Sequence, residues 1–294
     1  MDLELSEDQV ALVGELRRFL AARVETPTLA TPELWDELEA MGVLTLPVPE
    51  AAGGVGLGWA EAALAFQELG RSGLAGPFVS TAAATAVGLA EGVTGLIPDG
   101  VPVVVEHLDR LDSLLVLSAD GVHRVPVPSG RPVERPLDPL TPVHVVDHLP
   151  PGDLVGDSTI GRHAALLAAA QQVGLGYAAL DRATTYAGER HQFGRPIGSF
   201  QAVKHLLADA VVGLEVARAA VDAAAVTADE DGDVDRAVTS ARIVASEAAA
   251  TAARNSIQVH GGMGYTWELP VHLYLKRILV LDQVVGSADD AVGP

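Results

Sequence analysis

Apolar and polar positions alternate along this chain with two different periods, and the change of period divides it in three. In "SEDQVALVGELRRFLAAR" the apolar residues Val10, Leu12, Val13, Leu16, Phe19 and Leu20 fall on one face at a 3.6-residue period. That spacing predicts an amphipathic helix, with Ser6 as its N-cap. "TPELWDELEAMGVLTL" predicts a second helix, opened by a threonine cap with proline at the first helical position and stopped at Gly42. "PEAAGGVGLG" is a glycine-rich loop. "WAEAALAFQELGRSG" predicts a third helix ended by Gly70 or Gly73, and "PFVSTAAATAVGLAEG" a fourth.

The period then shortens. "GVPVVVEHLDRLDSLLVLSADGVHRVPV" carries β-branched runs around an Asp120-Gly121 turn, and prolines recur from 126 to 151. This predicts a small sheet unit over 95–156. From Asp157 long alanine-rich helices return: "STIGRHAALLAAAQQVGLGYAALDRATTYAGER", "SFQAVKHLLADAVVGLEVARAAVDAAAVTA", "RAVTSARIVASEAAATAARNSIQVHGG" and "ELPVHLYLKRILVLDQVVG". Their short connections predict antiparallel neighbours in a four-helix bundle. The expected fold is mainly α: helices over 1–94, a reduced β unit over 95–156 and the bundle over 157–294.

Composition narrows the chemistry. The 294 residues include no cysteine, so no disulfide, thiolate nucleophile or cysteine-ligated metal is available. Nineteen basic residues stand against 39 acidic ones, a net charge of −20 that repels phosphate backbones and argues against nucleic acid as a partner. No apolar run is long enough to span a bilayer, and the acidic start "MDLELSEDQV" lacks the basic region of a secretory signal. A cytoplasmic protein is expected. His163, His191, His205, His260 and His272 lack metal-site spacing, "DEDGDVD" lacks the closing glutamate of a calcium loop, and no GxSxG elbow exists.

Two polar clusters interrupt the bundle pattern. "RHQFGRPIGSFQ" places Arg190, Gln192, Phe193 and Gln201 around a Gly/Pro break. A guanidinium suits a phosphate, the glutamines both donate and accept, and a phenyl face suits a ring. Spacing alone equally fits a plain corner with a buried Phe193. "QVHGGMGYTWELP" places three glycines within four positions, which end a helix and expose backbone N–H groups as an anion nest. It does not follow a strand, so it is no Rossmann fingerprint.

Together the clusters resemble the acyl-CoA dehydrogenase family. Its "R-x-x-F-G-x-x-[IL]…FQ" corner appears as Arg190, Phe193, Gly194, Ile197, Phe200 and Gln201. Its "Q-x-x-G-G-x-G-[YF]-[TS]" stretch appears as Gln258, Gly261, Gly262, Gly264, Tyr265 and Thr266. "ELWDELEAMGVLTLPVPEAAGGVGLGWAEAALAFQELGR" is similar to the family's N-terminal helix, loop and next helix. The resemblance implies a bundle that mediates oligomers and FAD in a crevice between subunits. It implies that Arg190, Gln192, Phe193 and Gln201 meet the flavin dinucleotide of a neighbour, and that Gln258, Gly261 and Gly262 hold its adenine half. The implied reaction is α,β-desaturation of an acyl-CoA: a proton leaves Cα, the Cβ hydride passes to flavin, and electron-transfer flavoprotein is the implied acceptor.

The chain departs from that pattern in two ways. The β segment lacks the family's "TEPxAGSD" and "WxTNG" motifs over the flavin. The catalytic glutamate is missing as well: its two usual positions fall near Ala164 and at Val284/Val285, and Asp282 is close but out of register. Two readings stay open. The chain is the base-lacking subunit of a heteromer completed by a full-length acyl-CoA dehydrogenase, a type similar to actinobacterial chains and carried here by "WELPVHLYLKR". Otherwise it works alone or as a homo-oligomer with a displaced base such as Asp282, or serves a non-redox role on the same scaffold.

Overall fold

The computed structural model describes residues 4–100, 102–230, 232–284 and 286. Helix α1 (Glu7–Ala21) opens on a reciprocal capping box: Gln9 N–H donates to the Ser6 hydroxyl at 3.2 Å and Ser6 N–H to the Gln9 side chain at 3.0 Å. Strand β1 (Thr28–Leu29) leads to α2 (Pro32–Ala40), capped by Thr31. Helix α3 (Trp59–Ser72), strand β2 (Leu74–Ala75), which pairs in parallel with β1, and α4 (Phe78–Ala86) complete the N-terminal helical domain.

The predicted helices all form, but the third does not stop at Gly70. That residue lies inside α3, and Gly73, with φ +76°, takes the left-handed C-cap. Gly70 is small for a different reason. A Cβ there would sit 2.1 Å from the carbonyl oxygen of Gln171, and one on Gly174 would sit 1.9 Å from that of Gln67. Two glycines from distant segments let two helix backbones touch.

The middle domain follows: β3 (Thr94–Pro98), β4 (Val103–Glu106), β5 (Ser113–Ser118), β6 (Gly121–Val125), β7 (Arg131–Pro132), β8 (Val143–Val146) and β9 (Asp153–Gly156). They form a four-stranded sheet ordered β3-β5-β6-β9 and a three-stranded antiparallel sheet ordered β4-β8-β7. Asp120-Gly121 makes the expected tight turn between β5 and β6. Ile97, Val105, Leu108, Leu114, Val116, Val125 and Val146 close a small core of their own.

The C-terminal helical domain contains α5 (Thr159–Glu189), the two-strand hairpin β10 (His191–Gln192) and β11 (Arg195–Pro196), α6 (Gln201–Asp229), α7 (Val234–His260) and α8 (Val271–Leu281). Alanine dominates its buried face, so α5 packs closely on α6 and α7. One continuous core runs from Leu16 and Phe66 through Leu166 and Leu214 to Ile278, so the N-terminal helices and the bundle share it. No described helix is long and apolar enough to cross a membrane.

The acidic run after α6 does more than face water. Asp229 accepts hydrogen bonds from Trp59 N at 2.7 Å and Ala60 N at 3.0 Å, capping α3 from 170 residues away. The residue at the N-cap of α3 is Gly58, which has no side chain to do so. Asp229→Ala is expected to cost about 1 kcal/mol of stability, read as a lower denaturation midpoint, with Asp229→Asn recovering part of it.

Candidate functional site

Helix α5 ends at Arg190, and the chain turns back through β10 and β11. Ile197 N–H donates to the Arg190 carbonyl at 2.7 Å and closes the corner. The two residues at its tip, Phe193 and Gly194, have φ of +52° and +78°. Glycine adopts this conformation freely; a phenylalanine does so at a cost of about 1–3 kcal/mol. Phe193 is also 91% exposed, so the plain corner with a buried phenylalanine is not what forms. Its ring meets Phe200 edge-on at 6.1 Å, and the Arg195 guanidinium lies 4.1 Å over the Phe200 ring. A strained, exposed aromatic braced by a second aromatic and a cation is a presented surface.

The glycine cluster lies beside this corner. Helix α7 ends at His260, which stacks on Tyr186 of α5 at 4.4 Å and donates from Nδ1 to the Ser256 carbonyl at 2.7 Å. Ala183 and Ala187 of α5, Val259 of α7, and Ile197 and Val203 from the corner and α6 pack beneath both clusters. Asn255 donates to the Leu206 carbonyl at 2.9 Å and ties α7 to α6. Arg190, Gln192, Phe193, Gln201, Gln258, Gly261 and Gly262 are therefore gathered at one end of the bundle, all of them exposed. A Cβ added at Gly194, Gly261 or Gly262 would meet nothing within 4 Å. These residues offer a guanidinium that pairs with no acid among the described residues, amide groups, an aromatic face and a bare backbone ledge. That set fits the phosphates and rings of a dinucleotide from one side, and leaves the other side open.

The base positions present a different picture. Ala164 is fully buried in α5, next to His163, whose ring stacks on Trp59 at 4.0 Å. Burial, with Arg162 adding to it, pushes that imidazole down to about 4, so it is neutral at pH 7. Asp282 caps the C-terminus of α8, where its carbonyl accepts from Arg242 at 2.8 Å. Val285 lies outside the described residues. Val284 packs on the main core and also lines a cavity of about 530 Å³ between β3, β4, the start of α4 and the end of α8.

That cavity contains a group the sequence reading passed over. Glu106, the last residue of β4, lines it together with Arg277 of α8. Burial pushes the Glu106 carboxyl up to about 7; Arg277 opposes that rise and Asp138 adds to it. Arg277 is itself 4% exposed. It donates to Thr141 Oγ1 at 2.6 Å and to the Gly76 carbonyl at 3.1 Å, with the fully buried Asp138 3.9 Å away. The Thr141 hydroxyl in turn donates a hydrogen bond to the Asp138 carboxylate at 2.7 Å. One guanidinium thus joins all three domains. A search confined to the family's base positions could not find Glu106; the available signal was a single glutamate closing the β-branched run "VPVVVE".

A second cavity of about 560 Å³ lies between α1, α3, α5 and α8. Its arginines are already committed: Arg17 pairs with Glu68 at 2.6 Å, Arg71 with Asp181, and Arg182 donates to the Tyr274 hydroxyl at 2.7 Å.

Comparison with known proteins adds a family to this geometry. Residues 6–92 match the acyl-CoA dehydrogenase N-terminal domain and residues 161–289 the acyl-CoA dehydrogenase C-terminal domain. The acyl-CoA dehydrogenase IpdE2 of Mycobacterium tuberculosis is 36% identical over 83% of this chain and 79% of its own length. Among solved structures, a chain of the Tcur3481-Tcur3483 steroid ACAD G363A variant superposes with a TM-score of 0.80 at 24% identity, covering 97% of this chain and 96% of that one. A chain of the ChsE4-ChsE5 complex from Mycobacterium tuberculosis does so with a TM-score of 0.80 at 23% identity, covering 99% and 97%.

Proposed function

The chain belongs to the acyl-CoA dehydrogenase family, and from that premise we propose that it is the base-lacking subunit of a heteromeric, FAD-dependent acyl-CoA dehydrogenase. FAD is the cofactor of the family and, when bound, supplies the hydride acceptor. The observation that supports the reading is the one-sided site: seven candidate cofactor residues lie on an open outer face, and the positions at which the family resemblance expects a glutamate fall near Ala164 and at Val284/Val285.

In this reading Arg190 pairs with a phosphate through charge-assisted hydrogen bonds, and Gln192, Gln201 and Gln258 orient polar edges. Phe193 covers a ring, and the Gly261-Gly262 ledge brings backbone close to the adenine half. The partner, a full-length family member, closes the open side and holds the carboxylate that takes the α-proton of the acyl-CoA. Both superposed structures, Tcur3481-Tcur3483 and ChsE4-ChsE5, are named for a pair of proteins, which supports such an assembly.

Co-expression with a full-length family member is the test. A flavin spectrum and turnover are expected from the copurified pair and neither from this chain by itself. In the pair, Arg190→Ala is expected to weaken FAD binding about 10- to 100-fold, the equivalent of a charge-assisted hydrogen bond of about 1.5–3 kcal/mol. A homo-oligomer purified with stoichiometric flavin and full turnover would overturn the heteromer.

A further inference from the structure

The cavity of about 560 Å³ between α1, α3, α5 and α8 is lined by none of the seven candidate cofactor residues and by neither base position. Its volume suits a small organic ligand, and Leu20, Val24, Ala178, Leu269 and Val271 give it an apolar wall. Its charges do not balance. Four carboxylates, those of Glu25, Glu68, Asp181 and Glu189, line it against three guanidinium groups. Glu68 is spent on Arg17 and Asp181 on Arg71. Arg182 turns to two neutral oxygens, the Tyr274 hydroxyl at 2.7 Å and the Glu25 carbonyl at 3.1 Å. The carboxylates of Glu25 and Glu189 have no ion pair or hydrogen bond among the described residues.

The same cavity meets a buried histidine. His260 is 6% exposed, and its ring stacks on Tyr186, which lines the cavity beside it. Its Nδ1 gives its hydrogen to the Ser256 carbonyl. In the neutral imidazole Nε2 is then a lone-pair acceptor. That nitrogen has no hydrogen-bond partner among the described residues, yet it is not sealed in protein as the two ring nitrogens of His107 are. A buried acceptor on a cavity wall calls for a donor inside the cavity.

We propose that this cavity binds the ammonium end of a primary alkylamine. The unpaired acceptors are the Glu25 and Glu189 carboxylates and His260 Nε2, and an alkylammonium head carries three N–H donors. Its single positive charge matches the single surplus negative charge of the lining. The alkyl chain lies along Leu20, Val24 and Val271. Other heads of the same length fit less well. A carboxylate adds to the surplus charge, a quaternary ammonium has no hydrogen to donate, and an alcohol brings one donor and no charge. His260 is also the last residue of α7, directly before the Gly261-Gly262 ledge, so the occupant touches the helix end that carries that ledge. The inference rests on no part of the function proposed above.

The experiment titrates n-hexylammonium chloride into the full chain by calorimetry, alone and in the copurified pair, with hexan-1-ol and hexanoate as controls of the same length. Hexylammonium is expected to bind with a Kd on the order of 0.1–1 mM, hexanol about 10-fold or more weakly, and hexanoate not at all. The double variant Glu25→Gln with Glu189→Gln should weaken hexylammonium about 10- to 100-fold. Both side chains are exposed, so the thermal midpoint of that variant should match the unmodified chain. Leu269→Trp, on the apolar wall, should weaken binding with both carboxylates intact. Hexanol binding as tightly as hexylammonium would reduce the cavity to an apolar crevice. A double variant that binds as well as the unmodified chain would place the amine on surface acids elsewhere. Either result, or no saturable binding up to about 10 mM amine, overturns the inference. The flavin spectrum of the pair is a separate reading that none of these outcomes alters.

Discussion

Gly174→Ala is expected to destabilise the protein by about 3 kcal/mol or more, with a matching fall in the chemical denaturation midpoint. Alanine is ordinarily the better helix former by about 1 kcal/mol, so local propensity points the other way. Packing decides the sign. The added methyl would lie 1.9 Å from the Gln67 carbonyl oxygen and 2.8 Å from Arg71 N, both of them backbone atoms that no rotamer change can move. The two helices would have to separate along a contact both sequences have shaped, since Gly70 meets Gln171 in the same way. Gly188 is the internal control. It also lies in α5, yet nothing stands within 4 Å of an added Cβ, so Gly188→Ala should be neutral or stabilising by up to about 1 kcal/mol. Equal effects at the two sites would refute the close-approach argument.

Arg277→Met should cost about 3–5 kcal/mol, for an electrostatic reason. The thioether chain fills similar space but leaves the fully buried Asp138 without its cation and the Gly76 carbonyl without its donor. Asp138 would keep its bonds from Thr141 and Leu140 N, which hold the loop but do not neutralise the charge. Adding Asp138→Asn to Arg277→Met should therefore restore part of the loss, although Asp138→Asn by itself is destabilising. A double-mutant cycle measured by equilibrium unfolding reads the coupling directly. Strict additivity would mean that the guanidinium holds the three domains by hydrogen bonds to neutral groups rather than through Asp138.

Much of this architecture was legible because it is local. Ser6, Thr31 and the 3.6-residue period mark helix starts that depend only on residues within one turn. The β unit announced itself through β-branched runs and Asp120-Gly121. The Arg190 corner and the Gln258 stretch were joined through their resemblance to one family, and the fold sets them at one end of the bundle over a shared apolar floor. What stayed hidden depends on partners far away in sequence. Gly70 resembled a helix stop because its contact, Gln171, is 101 positions further on. Asp229 looked like one more solvated acid until α3 placed two orphan N–H groups beside it. Glu106 and Arg277 carry no mark in their own segments; only the fold brings β4 and α8 to the lining of one cavity.

The glycine contact between α3 and α5 also bears on how this chain could change length. The chain leaves the helical core after α4, at Ala86, and re-enters it at Thr159. Both points of departure are pinned, because α3 and α4 each pack against α5. The segment between them is an excursion with fixed ends that closes a small core of its own and lends Leu96, Leu115 and Val122 to the main one. Closing such a loop costs entropy only as the logarithm of its length, about 0.6 kcal/mol for each doubling. Its outer loops can therefore lengthen or shorten at little expense to the helices, so long as Leu96, Leu115, Val122 and Asp138 keep their contacts with them. A lineage could reshape that outer part of the molecule while the scaffold on either side stayed in register.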